Sequence, residues 1–97
     1  MLIDVYHDAD HVATVNAPHN NVEDALEYAF RWTQNIEGSW SMGIGADRNR
    51  CVHVIAPLQV VNGRVYGLRS SMVGDTFVTE NGDRYRCAAF GFKREVA

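Results

Sequence analysis

The densest run of metal-ligating and proton-transferring side chains is His7-Asp8-Ala9-Asp10-His11. Imidazole and carboxylate are the ligands that zinc and other divalent ions take, and His7 and His11 share a face in a strand or in a helix. His7, Asp8, Asp10 and His11 are therefore the metal-ligand candidates, and a metal-dependent enzyme is one reading of the chain. The His-x-x-x-His spacing lacks the intervening Glu and the helix of a metalloprotease motif, so a solvated turn between two short strands accounts for the same residues. A second cluster is Arg69-Ser70-Ser71-Met72-Val73-Gly74-Asp75. Ser70 or Ser71 as a nucleophile needs a base within hydrogen-bond reach, and the chain has no Gly-x-Ser-x-Gly elbow to present one. Turn chemistry explains the segment more simply. Gly74-Asp75 closes a tight turn, Asp75 accepts from backbone N–H groups, and Arg69 pairs with an acid of a nearby helix. Gly43-Ile44-Gly45 has only part of a phosphate-loop pattern and no strand–turn–helix around it. No catalytic residue is assigned, no cofactor is expected, and the chain reads as non-catalytic.

Basic residues with aromatics between them mark a further candidate chemistry. Arg84 and Arg86 alternate with Tyr85 and Cys87, with Phe90 and Phe92 just beyond. Cations neutralise phosphates and aromatic faces stack on bases, which is what a single-stranded nucleic acid requires. Arg48, Arg50, Arg64, Arg69, Lys93 and Arg94 extend the basic set. The sequence pI of about 5.7 is far below that of a dedicated nucleic-acid binder.

The elements that must position these residues follow from periodicity and turn signals. Residues 2–6 and 12–15 are short β-type runs on either side of the His7–His11 stretch. Asn21 is a good N-cap, and Glu23 and Asp24 suit the positive end of a helix. Val22, Ala25, Leu26, Ala29, Phe30 and Ile36 recur at helical spacing. This predicts one amphipathic helix from Val22 to about Ile36, ended by Gly38, with a Glu27–Arg31 pair on its surface. Residues 39–50 read as a loop in which Trp40, Met42 and Ile44 alternate. Cys51–Ala56 is β-rich. Asn62-Gly63 and Asn81-Gly82 each sit between apolar or β-branched runs and predict hairpins, because both central positions of such a turn need positive φ. Thr76–Thr79 and Arg84–Phe90 flank the second, with Tyr85 and Cys87 facing the core. The fold class is α+β: one helix packed on an antiparallel sheet of about four to six strands in a single domain spanning residues 1–97.

Composition sets outer limits. The chain has 97 residues, 46% of them hydrophobic and 22% charged. Those values fit one globular domain and exclude a disordered chain. No apolar run approaches the length of a membrane span, and the N-terminal residues lack a basic-then-apolar export pattern, so a cytoplasmic protein with no membrane partner is expected. Cys51 and Cys87 are then read as free thiols. Charge is divided along the chain. Residues 1–47 carry eight acids against one base, and residues 48–97 carry eight bases against four acids, so −7 and +4 give the net −3. Two halves folded onto one another would largely neutralise.

Three segments carry a resemblance. Arg69-Ser-Ser-Met-Val-Gly-Asp75, a hairpin, then Tyr85-x-Cys87-x-x-x-Gly91-Phe92 resembles the ending of small bacteriophage-encoded proteins with an R-S-x-S-V-G-D motif. Met72 stands where that motif has Ser. The helix 24–36, with Thr33-Gln34-Asn35 and then Trp40, is similar to the helix that precedes a Trp in the same group. The resemblance implies an accessory protein in the host-cell cytosol that binds a host or defence protein, and it implies no active site. Trp32, Trp40, Phe90 and Phe92 are the aromatic anchor candidates, with Arg69, Arg84 and Arg86 the basic ones, since aromatics and Arg dominate binding hot spots. The alternative partner is nucleic acid at the Arg-rich C-terminal hairpin. An open sheet edge also invites pairing of two copies into a homodimer.

Overall fold

Alternation of apolar and polar residues builds the centre of the fold. In β1 (Leu2–His7), Ile3, Val5 and His7 point inward while Asp4 and Tyr6 lie on the other face. β2 (Asp10–Asn16) returns beside it, with Val12, Ala13 and Val15 buried and a bulge opposite Val5/Tyr6. Asp8, at φ 55°, makes the turn between them. The computed structural model describes residues 1–36, 38–43 and 49–95. The alternation of Trp40, Met42 and Ile44 therefore cannot be followed to its end. Trp40–Gly43 is turn, and Ile44, Gly45 and Arg48 lie outside the described residues.

α1 runs over Val22–Trp32, with Asn21 Oδ1 accepting from Asp24 N at 3.2 Å as the expected cap. The helix stops four residues earlier than its hydrophobic period predicts. Thr33 leaves helical geometry at φ −109°, ψ 29°, and its hydroxyl donates back to Ala29 O at 2.8 Å. Gln34 and Asn35 then bond to residues 68–71 instead of to the helix. A tertiary contact, not Gly38, ends the helix. The Glu27–Arg31 pair is also absent among the described residues, because the Arg31 guanidinium lies over the Trp32 ring at 4.4 Å.

The remaining strands are β3 (Val52–Val54), β4 (Gln59–Val61), β5 (Arg64–Tyr66), β6 (Thr76–Thr79), β7 (Arg84–Cys87) and β8 (Phe92–Glu95). Six of the eight form one antiparallel sheet in the order β3-β2-β1-β6-β7-β8, with β4 and β5 paired only with each other. The expected return strand from Arg84 to Phe90 is thus two strands, divided by a turn at Ala88–Gly91. The run 2–6 is a central strand, because β6 pairs with its free side. The φ angles of Asn62 and Gly63 are 52° and 76°. Those are the two positive values that the hairpin signal demands. One face of the main sheet packs on α1 through Ile3, Val5, Leu26, Ala29 and Phe77. Both cysteines are free, and no described helix is long and apolar enough to cross a membrane.

Candidate functional site

Three elements bring the two chemistry-bearing clusters of the sequence together. The inward face of β1 ends at His7, α1 ends at Thr33, and the segment 67–75 passes between them. His7, Ser71, Asp75 and Thr33 are all buried there. His7 Nε2 lies 2.9 Å from Ser71 Oγ, and Ser71 Oγ lies 2.7 Å from Thr33 Oγ1. The protons in this chain can be placed by counting donors. Thr33 has one hydroxyl proton, and its neighbours Ala29 O and Phe30 O only accept, so that proton goes to them. With Thr33 donating to Ala29 O, the matching arrangement has Ser71 donating to Thr33 and His7 Nε2 donating to Ser71, a proton assignment that follows from this count. In that arrangement the imidazole carries its proton on Nε2.

Asp75 is held just as fully. Both its oxygens accept from the Arg69 guanidinium, at 2.7 and 2.9 Å, and Oδ2 also accepts from Met72 N at 2.8 Å. Burial by itself would raise the Asp75 carboxyl, but the Arg69 guanidinium and the Met72 N–H outweigh it and hold the group below the usual carboxylate range. Arg69 is raised in turn, chiefly by its hydrogen bond to Asp75. Burial pushes His7 below the ordinary imidazole value of 6.5, against the pull of the Asp75 charge.

A serine, a histidine and an aspartate within reach of one another invite a comparison with nucleophilic catalysis, and the geometry answers it. In a working triad the serine and the acid address opposite ring nitrogens. Here Ser71 Oγ and Asp75 Oδ2 both approach Nε2, the acid at 3.8 Å. In the arrangement that matches every donor, Nε2 gives its proton to the hydrogen bond with Ser71 and does not take one. Ser71 is 3% exposed. The cluster is a clamp that fastens segment 67–75 to β1 and α1. Trp40 completes it. Its indole N–H donates to Arg69 O at 2.8 Å, and its ring meets His7 edge-on. Gly67 lets the segment pass close to residues 39–41, since a Cβ there would run into Ser39 Oγ. Ser41 Oγ, beside it, accepts from Leu68 N.

The other sequence candidates are dispersed. His11 stacks on Tyr6 and sits 3.4 Å from Asp4, while His7 points into the core and Asp8 and Asp10 are exposed. The bulge in β2 and the opposite facing of the two imidazoles keep the four candidates from converging, and no group of three or more metal-ligating residues gathers among the described residues. Arg69 pairs with Asp75 and not with an acid of the helix. Trp40 belongs to the core at 2% exposed, so it is not a surface anchor. Phe92 is partly buried against Phe77 and Phe30, and Trp32 is partly buried beside Tyr28. Phe90, by contrast, is 97% exposed. Arg84 and Arg86 lie on the open sheet face, away from Tyr85. Their aromatic neighbour is Tyr6, with the Arg84 guanidinium 6.0 Å from its ring, while Arg86 is paired with Glu95.

One exposed apolar surface among the described residues is legible in the sequence as a hairpin but not as a surface. Every residue of β4 and β5 is exposed, with Val60 at 62% and Tyr66 at 47%. Ile55 and Val54, just before it, are exposed as well. No known family, curated protein or solved structure matches this chain.

Proposed function

We propose that the protein is a non-catalytic, phage-type accessory protein that works by binding another protein, one belonging to the host cell or its defences. The observation that carries this reading is the β4–β5 hairpin. It exposes Val60, Val61, Val65 and Tyr66 outside the main sheet. Isolated two-stranded hairpins are marginal in water. An apolar patch of that kind on a small domain is the usual mark of a protein-binding surface. The proton arrangement around Ser71 and His7 agrees with a role that needs no nucleophile. The resemblance of residues 69–92 to phage-encoded proteins points toward a host partner in the cytosol.

A second reading has its own observation. Tyr6, Arg84, Arg86 and Lys93 share the sheet face that α1 leaves open, a platform suited to a single-stranded nucleic acid. The two readings separate in one experiment. Tagged wild-type protein and a Val60→Ser/Tyr66→Ser variant are expressed in a bacterial host and purified with and without nuclease. A stoichiometric protein that survives nuclease and is lost with the variant supports the hairpin reading. Bound nucleic acid that is lost on nuclease treatment and unaffected by the variant overturns it in favour of the open face.

A further inference from the structure

A single helix cannot cover this sheet. Six strands about 4.8 Å apart span roughly 24 Å, whereas a helix with its side chains is about 10 Å across. At the β8 side, two adjoining cavities of about 430 and 280 Å³ separate α1 from β7, β8 and the turn between them. Glu27, Gly91 and Phe92 border both. Together the cavities fall within the range of small-ligand sites, about 300–1,000 Å³. We propose that the pair binds one organic ammonium ion with an apolar tail, the cationic head in the smaller cavity and the tail in the larger.

The two linings divide the work between charge and apolar contact. The smaller cavity is bordered by Glu23, Glu27 and three aromatic rings, Tyr85, Phe90 and Phe92. Carboxylates attract a cation directly, and the faces of aromatic rings attract it through their quadrupole, so rings beside an ammonium group are a recurrent means of holding alkylated amines. Glu23 and Glu27 are i, i+4 neighbours, about 5–6 Å apart at Cβ, and both line this cavity. Neither has an ion-pair partner among the described residues. Arg31, one turn beyond Glu27, is turned onto Trp32. Arg84, Arg86 and Lys93 lie on the opposite face of the sheet, because they alternate with Tyr85 and Phe92. Arg94, on the same side as Phe92, is held by Asp83 at 2.9 Å. Phe90 is 97% exposed, a ring that the chain itself leaves in water and that a bound cation would cover. The larger cavity carries apolar side chains apart from Glu27, among them Phe30, Val73, Cys87 and Phe92. Glu27 borders both cavities, so its carboxylate stands where head joins tail. An anion with the same tail would meet two carboxylates, and a small cation without a tail would leave the larger cavity unused. This site adjoins the opposite edge of the sheet from β3 and the hairpin that follows it, so its test is independent of theirs.

The probe is phenylbutylammonium, titrated into the full chain and followed by backbone amide NMR at about 0.15 M salt, where long-range charge attraction is largely screened. The signals of Glu27, Gly91 and Phe92 are expected to move together, with a dissociation constant at or below about 1 mM. Phenylbutanol and phenylbutanoate keep the tail but lose or reverse the charge, and each should bind at least about tenfold more weakly. Methylammonium keeps only the head and should be weaker by at least about tenfold as well. The Glu23→Gln/Glu27→Gln variant should bring phenylbutylammonium down to the level of phenylbutanol, and Phe90→Ala should weaken it about threefold. All three positions are exposed, so the amide spectrum of each variant should stay folded and a loss reads the site. No binding at about 1 mM ligand, equal affinity for the ammonium and the alcohol, wild-type affinity in either variant, or signal changes confined to the hairpin or the open sheet face would each overturn the proposal.

Discussion

Segment 67–75 and the hairpin 59–66 are neighbours in sequence and opposites in structure. The first is polar, with an arginine, two serines and an aspartate, yet it sends Ser71 and Asp75 into the interior. The second is rich in valine and lies wholly outside. The difference teaches that burial here follows hydrogen-bond closure as much as hydrophobicity. Ser71 and Asp75 can be buried because their polar atoms are matched, and no buried side-chain polar atom lacks a partner among the described residues. The hairpin stays outside because its backbone bonds close on themselves and leave it nothing to gain from the main sheet except apolar contact, which a partner can supply instead.

That contrast is breakable, most severely at Asp75. Replacing it by Ala strands Arg69 and the Met72 N–H beside a buried space. Breaking a buried ion pair from one side costs about 3–5 kcal/mol, and the partly exposed guanidinium puts this case at the lower end. Urea denaturation should show a loss of about 3 kcal/mol, and a loss below about 1 kcal/mol would mean that the clamp does not hold the segment. Ser71→Ala comes next. It removes the middle of the His7–Ser71–Thr33 chain. The expected cost is about 2 kcal/mol, the penalty for leaving buried polar groups unmatched. The same denaturation series reads it, and a neutral result would mean that Ser71 joins nothing.

The pH dependence follows with a smaller effect. The folded-state value of His7 is depressed, so the unfolded chain binds the extra proton more readily. The stability that comes from neutral His7 is present above pH 6.5 and is lost as pH falls below it. Asp75 adds a separate loss below its unfolded value of 3.8, in the same direction. Thermal melts of wild type should therefore decline from about pH 6.5 downward, and His7→Gln, which keeps a donor for Ser71, should remove the upper part of the decline. A flat profile in wild type between pH 7 and 5 would contradict the buried neutral imidazole. The smallest effect is expected in the hairpin, where Val60 and Val65 are exposed. Val60→Ser or Val65→Ser should change stability by no more than about 0.5 kcal/mol, as exposed substitutions do. Either change should nonetheless weaken capture of the partner proposed for the hairpin. A large destabilisation would show that the hairpin packs onto the domain.

Much of this fold is written locally. Asn21 names the start of α1, Asn62-Gly63 names the β4–β5 turn, and the alternation Tyr85/Cys87 against Arg84/Arg86 names the faces of β7 correctly. Each depends on a few adjacent residues whose backbone preferences or side-chain periods act over one turn or one strand. Less of the candidate site can be read. The serines and Asp75 stand out in the sequence, but the His7 partner of Ser71 is 64 positions away in β1. The end of α1 is hidden for the same reason: Ile36 continues the hydrophobic period, while Gln34 and Asn35 are taken by residues 68–71 and Thr33 by Ser71.

By itself, then, the sequence determined most element types, their turns and caps, the α+β class and the absence of an apolar run that could form a spanning helix. Those properties come from short-range sterics, side-chain period and composition. Only the tertiary structure decided that His7, Ser71, Thr33 and Asp75 meet, that Trp40 is core, and that the hairpin is left uncovered. These depend on which strands pair, and strand pairing joins residues that no local preference connects.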